Sequence, residues 1–246
     1  MTLTGKTAVV TGAAGTMGTA AAKFLLEDGA QVALVDIDAL RLDNLARFLR
    51  GKTLGVACDI ADSMSVKTAF QRIEGELGPV DILVNNAGVL SNDKAEQTSD
   101  SEWRRVMSIN LDGAFYWSRA VLPGMKARGW GRIINVCSLA AKTGGLTAGT
   151  AYSTSKGAMT SLTFSLAREA AAHGVTVNGI SPAYVKTPMI TEGLNDSQRR
   201  QLLSQIPVGR FCEPDEFAHA VRFLASPLAG FITGEIVDVN GGLQMD

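Results

Sequence analysis

The chain has 246 residues, 46% hydrophobic and 19% charged, enough for one large domain or two small ones around a substantial core. Its 23 basic and 24 acidic residues leave a formal net charge of −1, which excludes the electrostatic footprint of a nucleic-acid binder or of a protein drawn to an acidic membrane. Cys58, Cys137 and Cys212 are odd in number and far apart, with neither metal-ligand nor disulfide-framework spacing, so free thiols in a reducing compartment are expected. Residues 1–6 lack a basic segment followed by an apolar core, and no apolar run approaches the roughly 20 residues of a membrane span, so a soluble cytoplasmic protein is expected.

In chain order, residues 6–11 form a short buried strand around Ala8, Val9 and Val10. It leads straight into Gly12-Ala13-Ala14-Gly15-Thr16-Met17-Gly18, and residues 19–28 follow as an Ala-rich helix stopped by Gly29. Strand, glycine turn and helix form the context in which glycines serve a phosphate. The bare backbone can approach a pyrophosphate, and the helix N-terminus presents N–H groups and a positive dipole end. Residues 31–36 are a second strand ending on Asp36, 18 residues after Gly18. A carboxylate there suits the two hydroxyls of an adenosine ribose and repels a 2′-phosphate. Positions 37–40 hold no Arg or Lys, although Arg41 follows, so NAD is expected over NADP. The competing reading makes Asp36 a cap for the next helix.

The alternation continues with an amphipathic helix at 40–50, a strand at 53–58 followed by Asp59, and a helix from Asp62 with Val66, Phe70 and Ile73 on one face. A strand at 80–84 runs into Asn85-Asn86-Ala87-Gly88, where two amides and a glycine can hydrogen-bond backbone and admit a ligand. Residues 91–100 are a polar loop. A helical region from Ser101 to Arg128 should bend or break near Asn110, whose amide either satisfies the break or holds water for a proton relay. A strand at 131–136 ends near Ser138, and a Gly/Ala/Thr-rich loop at 139–150 leads to a helix at 151–173. A strand at 175–180 precedes Ser181-Pro182-Ala183-Tyr184. Residues 187–205 read as a flap of one or two short helices, anchored by Met189, Ile190 and Leu194, within a substrate segment of about 187–210. A helix at 213–225 and a strand at 235–239 complete the pattern.

Strands apolar on both faces and alternating with helices predict a single α/β domain: a doubly wound, Rossmann-type parallel sheet of about seven strands, helices on both faces. Ligands of such sheets lie outside the carboxyl ends of the strands, where Gly12, Asp36, Asp59, Asn86, Ser138 and Pro182 all fall. Tyr152 and Lys156 open the helix after the fifth strand, four residues apart and therefore on one helix face. An ammonium one turn from a phenol favours the phenolate, which suits the tyrosine to acid/base work.

Taken together, the glycine turn at 12–18, Asn85-Asn86-Ala87-Gly88, Asn110, Ser138, Tyr152-Ser153-Thr154-Ser155-Lys156 and the segment from Pro182 to Thr187 resemble the short-chain dehydrogenase/reductase family over essentially the whole chain. The resemblance implies that Tyr152 is the catalytic acid/base, that Lys156 supports it and holds the nicotinamide ribose, that Ser138 orients the substrate oxygen and that Asn110 serves the proton relay. It implies a cofactor site drawn from Gly12, Gly15, Thr16, Met17, Gly18, Asp36, Ile37, Asp59, Ile60, Asn86, Ala87 and Gly88, with Tyr152, Lys156, Pro182, Val185 and Thr187; no metal is implied.

Three positions depart from the family pattern. Thr16 occupies a glycine slot of the nucleotide loop. Ala183 follows Pro182 where the family has glycine, so a negative φ is expected there. Ser138 lies 14 residues before Tyr152, one more than the usual spacing, with the extra residue assigned to 144–150.

The expected reaction is reversible, NAD-dependent oxidation of a secondary alcohol to its ketone, the substrate being a polyol, sugar, hydroxy acid or cyclic alcohol. The alternatives are a 3-oxoacyl carrier-protein reductase-like enzyme, a role the family usually pairs with NADPH, and a non-catalytic NAD-binding sensor. The substrate pocket should draw on residues 91–96, 139–146, Tyr184 and 188–206, and Lys94, Lys142, Arg199 and Arg200 keep an anionic substrate open. His173 and His219 read as surface or interface residues. The expected partners are a small-molecule alcohol or ketone and further copies of the chain, as a homotetramer or homodimer.

Overall fold

The structure is a computed structural model describing residues 2–145, 147–188 and 195–245. Its seven strands are β1 (Thr7–Thr11), β2 (Gln31–Asp36), β3 (Thr53–Ala57), β4 (Ile82–Asn85), β5 (Gly131–Val136), β6 (Val175–Pro182) and β7 (Ile236–Val239). They form one parallel sheet in the order β3-β2-β1-β4-β5-β6-β7. The central strands β1, β4, β5 and β6 are buried along their whole length, as apolar runs covered by helices on both faces require.

The helices are α1 (Thr16–Glu27), α2 (Ala39–Phe48), α3 (Ser63–Leu77), α4 (Asp100–Met107), α5 (Gly113–Arg128), α6 (Ala140–Thr143), α7 (Thr150–Ala170), α8 (Asp196–Gln205) and α9 (Pro214–Ala225). One core layer packs α1 and α9 on the sheet through Leu25, Leu34, Phe217 and Val221. The other packs α3, α5 and α7 through Ile73, Trp117, Met125 and Leu166. An ion pair between Asp28 and Arg222 ties the end of α1 to α9.

The chain winds outward from β1 to β3 and then returns beside β1 with β4, so the sheet changes direction between β1 and β4. That switch point opens a crevice beyond the strand ends, and the register brings Thr11 level with Val35 and Val10 level with Val84 at its rim.

Several elements differ from the sequence expectation. The first helix begins at Thr16, and Gly18 lies inside it. The predicted break at Asn110 is a five-residue π turn (Ser108–Asp112) between α4 and α5. The loop after β5 contains the short helix α6, and α7 gives way to a 3-10 turn (Ala171–His173) before Gly174. In the flap, α8 matches one of the expected short helices; Met189, Ile190 and Leu194 lie outside the described residues. Among the described residues no helix is long and apolar enough to cross a membrane.

Candidate active site

β1 delivers the chain into a turn that only glycine can close. Gly12 has φ +64, and a Cβ there would sit 2.8 Å from Ala87 Cα. At Gly18 a Cβ would lie 2.2 Å from the Gly12 carbonyl oxygen. At Gly15 the nearest contact would be an ordinary 3.4 Å. Gly15 is the N-cap residue, and Thr16, in the family's glycine slot, opens the helix. The N-terminus of α1 has no side-chain cap and no acidic residue in its first turn. Its N–H donors and positive dipole end therefore fit a pyrophosphate.

Asp36, at the end of β2, accepts from Ala14 N–H (3.0 Å) and Asp38 N–H (3.3 Å). The cap of α2 is Asp38, which accepts from Arg41 N–H (3.0 Å), so the capping alternative for Asp36 does not hold. Arg41 Nη2 donates to the Ala14 carbonyl (2.9 Å), bringing its guanidinium to the turn that Asp36 braces. Ile37 beside them is exposed. Asp59 accepts from Ala61 N–H (2.9 Å). Ile60 packs its side chain into the core against Gly113, leaving only its main chain for a ligand. Thr11, at the end of β1, accepts at Oγ1 from Asn86 N–H (3.0 Å) and Ala87 N–H (3.1 Å). Asn86 Nδ2 returns bonds to the Thr11 and Gly12 carbonyls (2.9 and 3.2 Å), so its amide braces β4 against the turn.

Asn110 is fully buried in the π turn. Its Oδ1 accepts from Val89 N–H (2.8 Å), and its Nδ2 donates to the Val89 carbonyl (3.0 Å) and to Ser155 Oγ (3.0 Å). Ser155 Oγ in turn donates to the Tyr152 carbonyl (2.7 Å). The amide thus satisfies the helix break and fixes the start of α7. Expected as a water holder, this side chain is committed to protein partners.

Lys156 is 3% exposed; its Nζ donates to the Val136 carbonyl (2.7 Å) and lies 5.8 Å from the Tyr152 ring centroid. A Cβ at Gly88 would come within 3.5 Å of that ammonium and 3.2 Å of Asn110 Oδ1, so the glycine keeps room beside both. Ser138 Oγ accepts from Ala140 N–H (3.2 Å) at the start of α6.

Ser138, Tyr152 and Lys156 face a cavity of about 280 Å³ beyond the ends of β4, β5 and β6. Met17, Asn86, Gly88, Pro182, Val185 and Thr187 reach it; Asn110, Asp36 and the turn glycines do not line it. Its lining is mostly apolar, with Val89, Leu90, Leu139, Ala140 and Ala148 beside Thr143, Thr147 and Tyr184. Val89 and Leu90 were not anticipated, because nothing marks two apolar residues after a glycine as a wall.

Two pocket expectations are corrected. Residues 91–96 do not line the cavity. Lys94 donates to the Gly145 and Ala148 carbonyls, and Lys142 pairs with Asp238 (2.6 Å), so neither offers its charge to the cavity as its main engagement. Ala183 avoids positive φ as expected, and Tyr184 takes it instead (φ +46). That conformation costs about 1–3 kcal/mol in a non-glycine residue. It is held by Cys212 N–H on the Tyr184 carbonyl (3.2 Å) and Lys186 N–H on the Cys212 carbonyl (2.8 Å). These bonds join the two ends of the flap. Cys137 lies in the cavity wall, and burial pushes its thiol above the usual range. His173 and His219 are exposed and away from the cavity.

A family model described as enoyl-(acyl carrier protein) reductase matches residues 12–244. A Vibrio cholerae protein named 3-oxoacyl-[acyl-carrier-protein] reductase is 42% identical over 246 residues, covering 100% of both chains. Nodulation protein G of Azospirillum brasilense is 39% identical, over 97% of this chain and 98% of that one. Among solved structures, a provisionally assigned gluconate dehydrogenase from Agrobacterium tumefaciens superposes with a TM-score of 0.93 at 31% identity, covering 98% of this chain and 97% of that one.

Proposed function

The chain belongs to the short-chain dehydrogenase/reductase family of oxidoreductases, and from that premise we propose that it reduces the ketone of a 3-oxoacyl group to the alcohol, reversibly, with NAD(H). The full-length likeness to a 3-oxoacyl reductase carries the substrate class. The cavity supports it: its lining is mostly apolar, with Val89, Leu90, Leu139, Ala140 and Ala148 beside Thr143, Thr147 and Tyr184, and so suits an acyl chain better than a polyol or sugar acid, whose hydroxyls would each need a polar partner. This replaces the polyol and sugar substrates first expected. The likeness to a provisionally assigned gluconate dehydrogenase keeps a sugar acid as the second reading.

When bound, the nicotinamide supplies hydride to the carbonyl carbon or accepts it from the carbinol carbon. Tyr152 O–H gives its proton to the developing alkoxide oxygen in reduction, and its phenolate takes the hydroxyl proton in oxidation. Ser138 Oγ holds that oxygen beside the phenol. Lys156 stabilises the phenolate electrostatically and holds a ribose hydroxyl. Asn110 acts by orientation, through Ser155 and Val89. The bare N-terminus of α1 and the glycine turn hold the pyrophosphate. Asp36 binds the adenosine ribose hydroxyls and repels a 2′-phosphate. Among the described residues no group of three or more His, Cys, Asp or Glu is placed to hold a metal ion.

The test measures turnover of a 3-oxoacyl thioester with NADH and with NADPH, beside a polyol, a sugar acid and a cyclic alcohol with NAD. The thioester should lead by at least about tenfold in kcat/KM, with NADH preferred. A faster sugar acid would replace the substrate reading. A preference for NADPH would refute the role of Asp36. NADH binding without turnover of any compound would refute catalysis.

We further propose a homotetramer. Leu228 and Phe231, between α9 and β7, and Trp103, Phe115 and Phe164, on α4, α5 and α7, expose two separate apolar sets. If each set pairs with its own copy on a neighbouring protomer, the result is a tetramer of dihedral symmetry.

A further inference from the structure

Lys94 lies outside the family motifs and outside the cavity lining, on the loop between β4 and α4. Its Nζ donates to the Ala148 carbonyl (2.6 Å) and the Gly145 carbonyl (3.3 Å). The same loop meets this second loop backbone to backbone. Gly149 N–H donates to the Ser91 carbonyl (2.7 Å) and Thr150 N–H to the Asp93 carbonyl (3.1 Å). The approach requires glycine: a Cβ at Gly149 would lie 2.3 Å from the Asp93 carbonyl oxygen. Gly145, Thr147 and Ala148 line the cavity, and Thr150 opens the helix that carries Tyr152. The clamped stretch therefore joins the substrate wall to the proposed acid/base.

We propose that Lys94 is a positioning residue that locks Gly145 and residues 148–150 against the loop of Ser91 and Asp93, fixing the substrate side of the cavity and so setting which acyl groups fit. The ammonium gathers two carbonyls that a loop of this composition would otherwise turn to water, and charge-assisted bonds of this kind are the stronger ones. Among the described residues, the cofactor side from Gly12 to Asp36 shares no hydrogen bond with Ser91, Asp93, Lys94 or their partners in the clamp. Only the naming of an acyl substrate rests on the function proposed above.

Lys94→Met keeps the length of the side chain and removes the charge; Lys94→Arg keeps the charge. For each, KM and kcat are measured over 3-oxoacyl thioesters of increasing chain length. NADH affinity is measured by fluorescence, and amide hydrogen exchange is measured at Gly149 and Thr150. Lys94→Met should raise KM roughly tenfold, flatten the chain-length preference and speed exchange at both amides. It should leave kcat within about twofold and NADH affinity unchanged, and Lys94→Arg should restore most of the loss. Unchanged KM and exchange in Lys94→Met would overturn the proposal. So would a joint fall in kcat and NADH affinity, which would mark a role in folding. If the wild type rejects every 3-oxoacyl thioester, the substrate reading fails on its own. The two amides, with KM for whichever ketone or alcohol is accepted, then still decide on the clamp.

Discussion

Gly18 and Tyr152 are held by opposite kinds of constraint. Gly18 is required by space, since a methyl group 2.2 Å from the Gly12 carbonyl would push the turn apart. Tyr152, in the proposed mechanism, is required by chemistry: a phenylalanine would fill nearly the same volume and lack only the hydroxyl that gives and takes the proton. Tyr152→Phe should therefore lower turnover by on the order of 10²–10⁴-fold, the usual worth of positioned proton transfer, while NADH titration gives a wild-type affinity. Turnover like that of the wild type would end the acid/base assignment. Between these two residues lies the information that sequence spacing could not supply. Asn110 was visible as a polar residue between apolar ones, but its three bonds, to Val89 and Ser155, depend on a fold-level meeting of β4, the π turn and α7.

At the scale of elements, helix ends decide how the site is framed. α1 starts uncapped where a phosphate fits, whereas α9 starts with its donors satisfied. Glu216 accepts from Glu213 N–H (2.9 Å) and takes a two-pronged bond from Arg210 (2.6 and 2.7 Å). The Arg210 guanidinium first, and the Glu213 N–H second, hold the Glu216 carboxyl at about 2, below its ordinary 4.5. A carboxyl depressed in the folded state contributes stability that is complete above 4.5 and is lost as the pH falls through about 2. The side chain is 44% exposed, so solvent screening limits the contribution to under about 1 kcal/mol. Glu216→Gln should thus lower stability by that small amount at pH 7, and the gap should close between pH 5 and pH 2 in denaturant melts at stepped pH. A gap independent of pH would contradict the ion-pair origin. The elements themselves were largely legible from apolar runs and glycine stops. Helix α6 was not, because four residues of Ala140-Ala141-Lys142-Thr143 carry no periodicity to read.

For the molecule as a whole, the exposed aromatic and aliphatic side chains are the unfinished surface. Leu228 is 88% exposed and Phe231 fully so, on the segment leading to the edge strand β7. Replacing both with glutamate should reduce the assembly seen by sedimentation from a tetramer to a dimer without altering the circular dichroism of the protomer. A monomeric wild type at working concentration would refute the assembly.

The linear order of residues by itself determined the alternation of strands and helices, the parallel sheet that follows from strands apolar on both faces, and the residues that gather beyond the strand ends. These are local properties, carried by periodicity and by the few residue types that a turn tolerates. The tertiary structure alone decided where spare polar groups are spent. It set Asp38 rather than Asp36 as the cap, Arg41 on the Ala14 carbonyl, the positive φ on Tyr184 rather than Ala183, and Lys94 on a loop more than 50 residues downstream. A side chain's partner is chosen by which backbone groups the fold leaves within reach, and that proximity is a property of the packed chain.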